Sequence, residues 1–161
     1  MNQPTPVVTA FSPGCRRNQS SLMRGKIFTR DEADRMIPLV RRIVVSARAR
    51  HRLILRKQDE VLALGTGQGH GAARERTLQQ TRRLREELKA CILELEGLGC
   101  FLRDAETGVV ECYGEFAGNV VYFTWFPGQD AFQGWHPLDQ SYVNRQPLPG
   151  VDMPKAREAA E

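Results

Sequence analysis

Residues 108–147 read GVVECYGEFAGNVVYFTWFPGQDAFQGWHPLDQSYVNRQP, and this stretch decides the fold. It contains both tryptophans and all three tyrosines of the chain. Its valine and aromatic residues alternate with smaller or polar ones at a period of two, which is the period of a β-strand. Glycines separate the runs, as is typical of turns between strands. The stretch therefore predicts a small antiparallel sheet.

Individual strands follow from the runs of alternating residues. We predict them over residues 100–103, 109–113 and 119–125. The segment from Gly128 to Pro147 is interpreted as an ordered loop with one more strand. The sheet is therefore expected to have two to four strands.

The residues upstream of the sheet have a helical period. Thr29 is placed to cap a helix, and Glu32, three residues later, completes a capping box. Apolar residues then recur at alternating steps of four and three as far as about Leu64, with His51 and Gln58 as polar interruptions. This pattern predicts one long helix with a buried seam.

A second helix is predicted over residues 72–96, where the same steps of four and three recur before two glycines. The glycine-rich residues 65–71 connect the helices, so the helices are expected to lie antiparallel and bury their seams on each other. The prediction is an α+β single domain over residues 26–149. It consists of a coiled-coil-like helical hairpin over 29–97 and a β-rich segment over 100–147.

The two ends of the chain are expected to be flexible. Residues 1–25 are rich in proline and polar residues, and residues 150–161 have no clear period. Met23 is an alternative natural start. No apolar run reaches the roughly 18 residues of a membrane span, and no signal-peptide pattern is present, so a cytoplasmic location is expected.

The four cysteines, Cys15, Cys91, Cys100 and Cys112, are scattered without the spacing of a metal site. They are interpreted as small buried hydrophobic residues in a reducing compartment. The sequence therefore predicts neither a metal nor a cofactor.

Arginine dominates the first helix, and no acidic residue lies between Arg35 and Lys57. Such a basic surface could follow a phosphate backbone or an acidic protein. The alternative is that these side chains pair with acidic residues of the second helix or are simply solvated. The arginines expected to contact a partner are Arg41, Arg42, Arg48, Arg52 and Arg56.

A second group of candidates lies in the aromatic stretch. His136 is followed by Asp139, and a histidine oriented by a carboxylate can act as a general base or a metal ligand. Glu111 could reach the same site if the strand register allows it, and Arg145 could bind a carboxylate or phosphate. Trp135 could exclude water or stack on a ligand. The alternative is a structural role for all five residues.

Several short motifs occur in order along the chain. They are FT at 28–29, IP at 37–38, GVVE at 108–111, VYFTW at 121–125, WH at 135–136 and RQP at 145–147. In these motifs the chain resembles the bacterial family catalogued as domain of unknown function 2203. The resemblance covers residues 28–148 and implies a small protein with a helical hairpin and a sheet, without an assigned activity. Family members often carry an acidic residue at Gln129 and an aspartate at Glu111.

The expected function is a non-enzymatic interaction module. Its basic hairpin would bind an acidic partner, with RNA or the ribosome ranked before an acidic protein, and the hairpin could also pair with a second copy in a homodimer. The alternative is a small-ligand or metal-assisted enzyme with a site at Glu111, His136, Asp139 and Arg145.

Overall fold

The structure is a computed structural model that describes residues 25–65 and 69–150. The predicted N-terminal arm lies outside the described residues except for Gly25, and the predicted C-terminal tail lies outside them except for Gly150. Met23 and Cys15 also lie outside them. The two described ranges include both predicted helices and the whole β-rich segment.

The first helix, α1 (Arg30–Leu64), begins at the predicted cap. The Glu32 N–H donates to the Thr29 hydroxyl at 3.3 Å, and the Thr29 N–H donates to the Glu32 carboxylate at 2.9 Å. These bonds satisfy backbone donors that the first turn leaves open, a contribution of about 1 kcal/mol. The buried residues of α1 are Ala33, Ile37, Val40, Ile43, Val44, Ala47 and Ile54.

The second helix, α2 (Gly71–Gly97), runs antiparallel to α1. Near the connected ends, the Thr77 hydroxyl donates to Glu60 at 2.9 Å. Farther along, Arg50 Nε donates to the Glu87 carboxylate at 3.1 Å. The order of these contacts confirms the predicted helical hairpin.

Within the described residues, the β-rich segment forms one antiparallel sheet of five strands in sequential order. The strands are β1 (Cys100–Asp104), β2 (Val109–Phe116), β3 (Asn119–Trp125), β4 (Gly134–His136) and β5 (Gln146–Pro147). The first three confirm the predicted strands. The prediction allowed one further strand, but there are two, because runs of three and two residues are too short to show an alternating pattern.

One face of the sheet packs on the hairpin and forms the core. Alternate residues of β2 and β3 point toward the helices, as strand geometry requires. The described cysteines, Cys91, Cys100 and Cys112, are free thiols buried in this core, as predicted. The sheet residues of the core include Val110, Cys112, Val121, Phe123 and Trp125, and they meet Ile37, Val40 and Val44 of α1.

The sheet covers only part of the hairpin. We call residues 52–64 and 71–84 the distal hairpin. Its buried residues are Ile54, Thr77 and Thr81, whereas the predicted seam position Gln58 is exposed. Gln58 therefore meets solvent and is not part of the buried seam.

The turn between β1 and β2 packs closely on α1. Gly108 has a φ of 82°, and a Cβ there would lie 2.7 Å from Arg48 Cδ and 2.8 Å from Val44 Cγ1. The substitution Gly108→Ala is therefore expected to lower the free energy of unfolding by about 2–4 kcal/mol, through backbone strain and overpacking. Gly118 has a φ of 76° but nothing within 4 Å of such a Cβ, so Gly118→Ala should cost only the strain, about 1–2 kcal/mol. Denaturant unfolding measures both, and equal losses would contradict the close packing of the Gly108 turn.

Candidate functional site

Strand pairing gathers polar side chains on the outer face of the sheet, which points away from the helices. In the register, Glu111 of β2 is opposite Thr124 of β3, and His136 of β4 is opposite Tyr122 of β3. Because successive side chains point to opposite faces, all four lie on the outer face. Glu111 and His136 thus approach each other across β3.

Glu111 and His136 form a buried hydrogen-bonded pair. His136 Nε2 lies 2.6 Å from Glu111 Oε1, and the two residues, His136 and Glu111, are 1% and 2% exposed. The other carboxylate oxygen forms an ion pair with Nε of Arg103. The second ring nitrogen, His136 Nδ1, lies 2.8 Å from the carbonyl oxygen of Pro137. Both oxygens of Glu111 and both ring nitrogens of His136 are therefore engaged.

These contacts determine where protons lie. A carbonyl oxygen only accepts, so His136 Nδ1 carries a proton and donates it to Pro137. His136 Nε2 faces a carboxylate oxygen, so one further proton lies between Nε2 and Glu111. Neither ring nitrogen has a lone pair directed at solvent. In this arrangement both ring nitrogens of His136 are occupied by protein oxygen atoms.

Aromatic rings surround the Arg103 guanidinium. Its central carbon lies 4.8 Å from the ring centre of Tyr122 and 5.5 Å from that of Phe101, within the range of cation–π attraction. Tyr122 also stacks on Tyr113, with ring centres 4.9 Å apart. Desolvation acts to lower the pKa of Arg103, but the hydrogen bond and charge interaction with Glu111 outweigh it and raise that pKa. Arg103 remains cationic and balances the buried carboxylate.

Two of the predicted site residues lie apart from this pair. Asp139 is exposed, and its carboxylate makes no hydrogen bond or ion pair to any described residue. The Pro137 carbonyl, not Asp139, therefore orients His136. Trp135 is half-buried on the helix side of the sheet and packs on Phe116, with ring centres 4.8 Å apart.

Arg145 holds the last loop onto the outer face. A Cβ at Gly134 would lie 3.0 Å from Arg145 Cδ, so the arginine stem crosses β4 there. Its guanidinium carbon lies 4.2 Å from the ring centre of Phe126, and Nη1 donates to the Tyr142 carbonyl at 3.1 Å. Desolvation lowers the pKa of Arg145 below its usual value. These contacts are those of an arginine that fixes a loop.

Hydrogen-bonding capacity on this face is limited. Over the described ranges, the buried side-chain atoms without a hydrogen-bond partner are Thr124 Oγ1 and Arg145 Nε. No set of three or more histidine, cysteine, aspartate or glutamate residues in the described chain is placed to hold a metal ion.

Two of the five predicted partner-binding arginines bind the protein itself. Arg41 Nη2 donates to the Gln129 carbonyl at 3.0 Å and to the Asp130 carboxylate at 2.9 Å. Arg48 Nε donates to the Glu106 carbonyl at 3.0 Å. Both arginines tie turns of the sheet to α1. The sequence could not show these contacts, because each arginine donates to a backbone carbonyl far along the chain.

The other three predicted arginines have no side-chain partner in the described part of the chain. Arg42, Arg52 and Arg56 are exposed, and none makes a side-chain hydrogen bond or ion pair with a described residue. Arg35 is exposed in the same way and precedes Arg42 by seven residues, while Arg56 follows Arg42 by fourteen. Because this spacing keeps residues on one side of a helix, we call these residues the basic face: Arg35, Arg42, Arg52 and Arg56.

Sequence reasoning did not identify two features of this region. The first is a groove of about 370 Å³ between the helices, lined by residues that include Arg42, Ser46, Arg50, Glu87, Cys91 and Glu94. The second is a set of exposed apolar residues on α1, namely Val45, Leu53, Leu55 and Leu62. The sequence shows that α1 has more apolar residues than its buried seam requires, because Leu53 and Leu55 lie on either side of the seam residue Ile54.

Comparison with known proteins gives one match. A family model described as "Uncharacterized conserved protein (DUF2203)" matches residues 26–148. The comparisons with curated proteins and with solved structures returned no match. In the described part of the chain, neither helix combines the length and apolar character that crossing a membrane requires.

Proposed function

Because the chain belongs to the DUF2203 family, whose description names no activity, we propose its function from the geometry. The chain is an interaction module without enzymatic activity, and its basic helical hairpin binds an acidic partner. A cytoplasmic location is part of the same proposal.

One observation carries this proposal, the basic face itself. Its four arginines are exposed and are not neutralised by any described acidic residue, although α2 offers several. Of the first helix's arginines, Arg50 is the one that pairs with α2, through Glu87. The basic face extends from Arg35 to Arg56, about 32 Å at 1.5 Å per residue. A surface of this length and charge attracts an extended or helical anion.

The apolar side chains that lie between these arginines favour an acidic protein over RNA as the partner. Val45 is 62% exposed and Leu53 is 41% exposed, and both lie among the arginines of α1. Protein interfaces combine arginine with apolar side chains, whereas surfaces that bind nucleic acid are more polar and more positively charged. RNA or the ribosome, which the sequence ranked first, becomes the second candidate.

The outer face of the sheet gives less support to an enzyme. An enzyme built on Glu111, His136, Asp139 and Arg145 would need His136 or Glu111 to reach a substrate. Both are buried, and their polar atoms are bonded to Arg103, to Pro137 and to each other. Asp139 and Arg145 have separate positions. We therefore assign this cluster a structural role within the proposal.

A polyanion titration tests the charge requirement. Poly-L-glutamate is titrated into the full chain and followed by fluorescence anisotropy at several salt concentrations. Each exposed ion pair contributes about 0.5 kcal/mol, so the double variant Arg52→Gln/Arg56→Gln should bind about fivefold more weakly at about 50 mM salt. The difference should shrink as salt rises, because salt screens exposed charges.

A matched pair of substitutions controls for net charge. Arg76 and Lys89 are exposed on α2 and outside the basic face, and Arg76→Gln/Lys89→Gln removes the same charge. This control should bind poly-L-glutamate nearly as wild type does. If both double variants lose affinity equally, the basic face is not the binding surface.

A further inference from the structure

One side of α1 continues past the sheet. Arg41, Arg48, Leu55 and Leu62 recur at intervals of seven residues, which keeps them on one side of the helix. Arg41 and Arg48 donate to turns of the sheet. Leu55 and Leu62 are 43% and 78% exposed. The side of α1 that faces the sheet therefore ends in two exposed leucines.

The core side of α2 also changes from buried to exposed residues, here toward the N-terminal end of the helix. Leu95, Leu88, Thr81 and Arg74 also recur at intervals of seven residues. Leu95 and Leu88 belong to the core, Thr81 is buried, and Arg74 is exposed. The core side of α2 thus also reaches solvent in the distal hairpin.

Three further residues lie beside these exposed positions of α1 and α2. Leu78 is half-buried one turn after Arg74, and Arg85 is exposed two turns after Leu78. Arg52 is exposed one turn before Leu55. We call the whole the distal surface, with the apolar residues Leu55, Leu62 and Leu78 and the cationic residues Arg52, Arg74 and Arg85.

The distal surface has a positive charge balance. Within the described residues, none of its three arginines has an ion-pair partner. Two acidic residues lie between Leu55 and Leu62. Glu60 is bonded to Lys57 and Thr77, so Asp59 is the one acidic group between the leucines that is left to offset the arginines.

The positive charge of the distal surface favours an acidic binding partner. A second copy on the distal surface would bring its own three arginines against these three, and like charges in contact are unfavourable. Residues 1–24 contain Arg16, Arg17 and Arg24 and no acidic residue, so that segment is repelled as well. RNA offers phosphate to the arginines but gains little from the leucines. An acidic helix with one apolar side satisfies both groups.

We propose that the distal surface binds an acidic amphipathic helix of a partner protein. The leucines bury the apolar side of that helix, and Arg52, Arg74 and Arg85 pair with its carboxylates, in the manner of a helix held in a groove. This inference rests on the proposed function and deepens it, because it states the class of partner and the part of the hairpin that recognises it.

The test uses a synthetic peptide of about 18 residues, with leucine at every third or fourth position and glutamate at most others, so that one helical side is apolar. Its binding to the full chain is measured by fluorescence anisotropy. The double variant Leu55→Ser/Leu62→Ser should bind the peptide at least about tenfold more weakly, because it loses the apolar contacts. The same variant should bind poly-L-glutamate as wild type does.

The control variant changes two exposed apolar residues outside the distal surface. Leu93 and Val143 are 55% and 70% exposed, between the values for Leu55 and Leu62, and neither belongs to the basic face. The double variant Leu93→Ser/Val143→Ser should leave peptide affinity unchanged. All four side chains are on the surface, so both variants are expected to fold.

Other outcomes overturn the inference. Equal peptide binding by wild type and Leu55→Ser/Leu62→Ser would show that the leucines are not used. Single-stranded RNA that displaces the peptide and binds more tightly would replace the acidic helix as the occupant. A dimer of wild type that Leu55→Ser/Leu62→Ser abolishes would show that a second copy covers the surface. If poly-L-glutamate fails to bind wild type, the proposed function fails first.

Discussion

Replacing Glu111 by alanine is expected to lower the free energy of unfolding by about 3–5 kcal/mol, the cost of breaking a buried ion pair by removing one partner. The carboxylate is 2% exposed and accepts from both Arg103 and His136. Without it, His136 keeps a buried ring nitrogen with no partner. Arg103 is 37% exposed and can turn to solvent. Most of the lost free energy is therefore expected to come from the unpaired ring nitrogen of His136.

A glutamate on the same strand provides the control. Glu115 is exposed, and its side chain bonds to no other described residue. The substitution Glu115→Ala should change the free energy of unfolding by no more than about 0.5 kcal/mol. Urea unfolding of the two variants measures the difference. A loss below about 1 kcal/mol for Glu111→Ala would contradict the structural role of the cluster.

Reversing three charges of the basic face is expected to abolish most of the binding to an acidic partner. The triple variant Arg42→Glu/Arg52→Glu/Arg56→Glu removes three attractions and adds three repulsions. At about 0.5 kcal/mol for each of six terms, binding weakens by about 3 kcal/mol, or more than 100-fold. Titration of poly-L-glutamate at about 50 mM salt measures this loss.

Two observations separate charge from folding in this variant. The three arginines are exposed and make no bond to a described residue, so thermal unfolding should be close to that of wild type. The matched variant Arg42→Lys/Arg52→Lys/Arg56→Lys keeps the charge and should keep most of the binding. Equal losses in the glutamate and lysine variants would mean that guanidinium geometry, not charge, carries the contact.

Local signals predicted the helices and the long strands well. The Thr29 cap, the steps of four and three and the glycines that end α2 depend on residues close in sequence. The three long strands show alternation over five to eight residues. The two short strands, β4 and β5, owe their conformation to pairing with a neighbour, so no local pattern reveals them.

The candidate site could be predicted only in part. Glu111 and His136 were both singled out, but their contact depends on the register across β3, which one sequence does not state. The expected partner of His136 was Asp139, three residues away, whereas the structure gives the adjacent Pro137 carbonyl and the distant Glu111. Every residue has a backbone carbonyl, so the sequence does not show which carbonyl accepts this hydrogen bond.

The contacts of the α1 arginines could not be predicted from the sequence either. All of α1's arginines look alike in sequence, yet Arg41 and Arg48 are engaged by turns more than fifty residues away. The side chains of Arg42, Arg52 and Arg56 are exposed and have no hydrogen-bond or ion-pair partner in the described part of the chain. Which arginines have partners depends on tertiary packing.

The most direct test of the account is affinity capture from a nuclease-treated extract of the source cells at about 150 mM salt, where weak charge contacts are screened. Three forms are compared: wild type, the triple glutamate variant and His136→Gln, with folding checked by thermal unfolding. We predict that wild type and His136→Gln capture the same acidic protein in stoichiometric amount and that the triple variant captures none. Retention by the triple variant, or loss of the partner by a folded His136→Gln, would contradict the account.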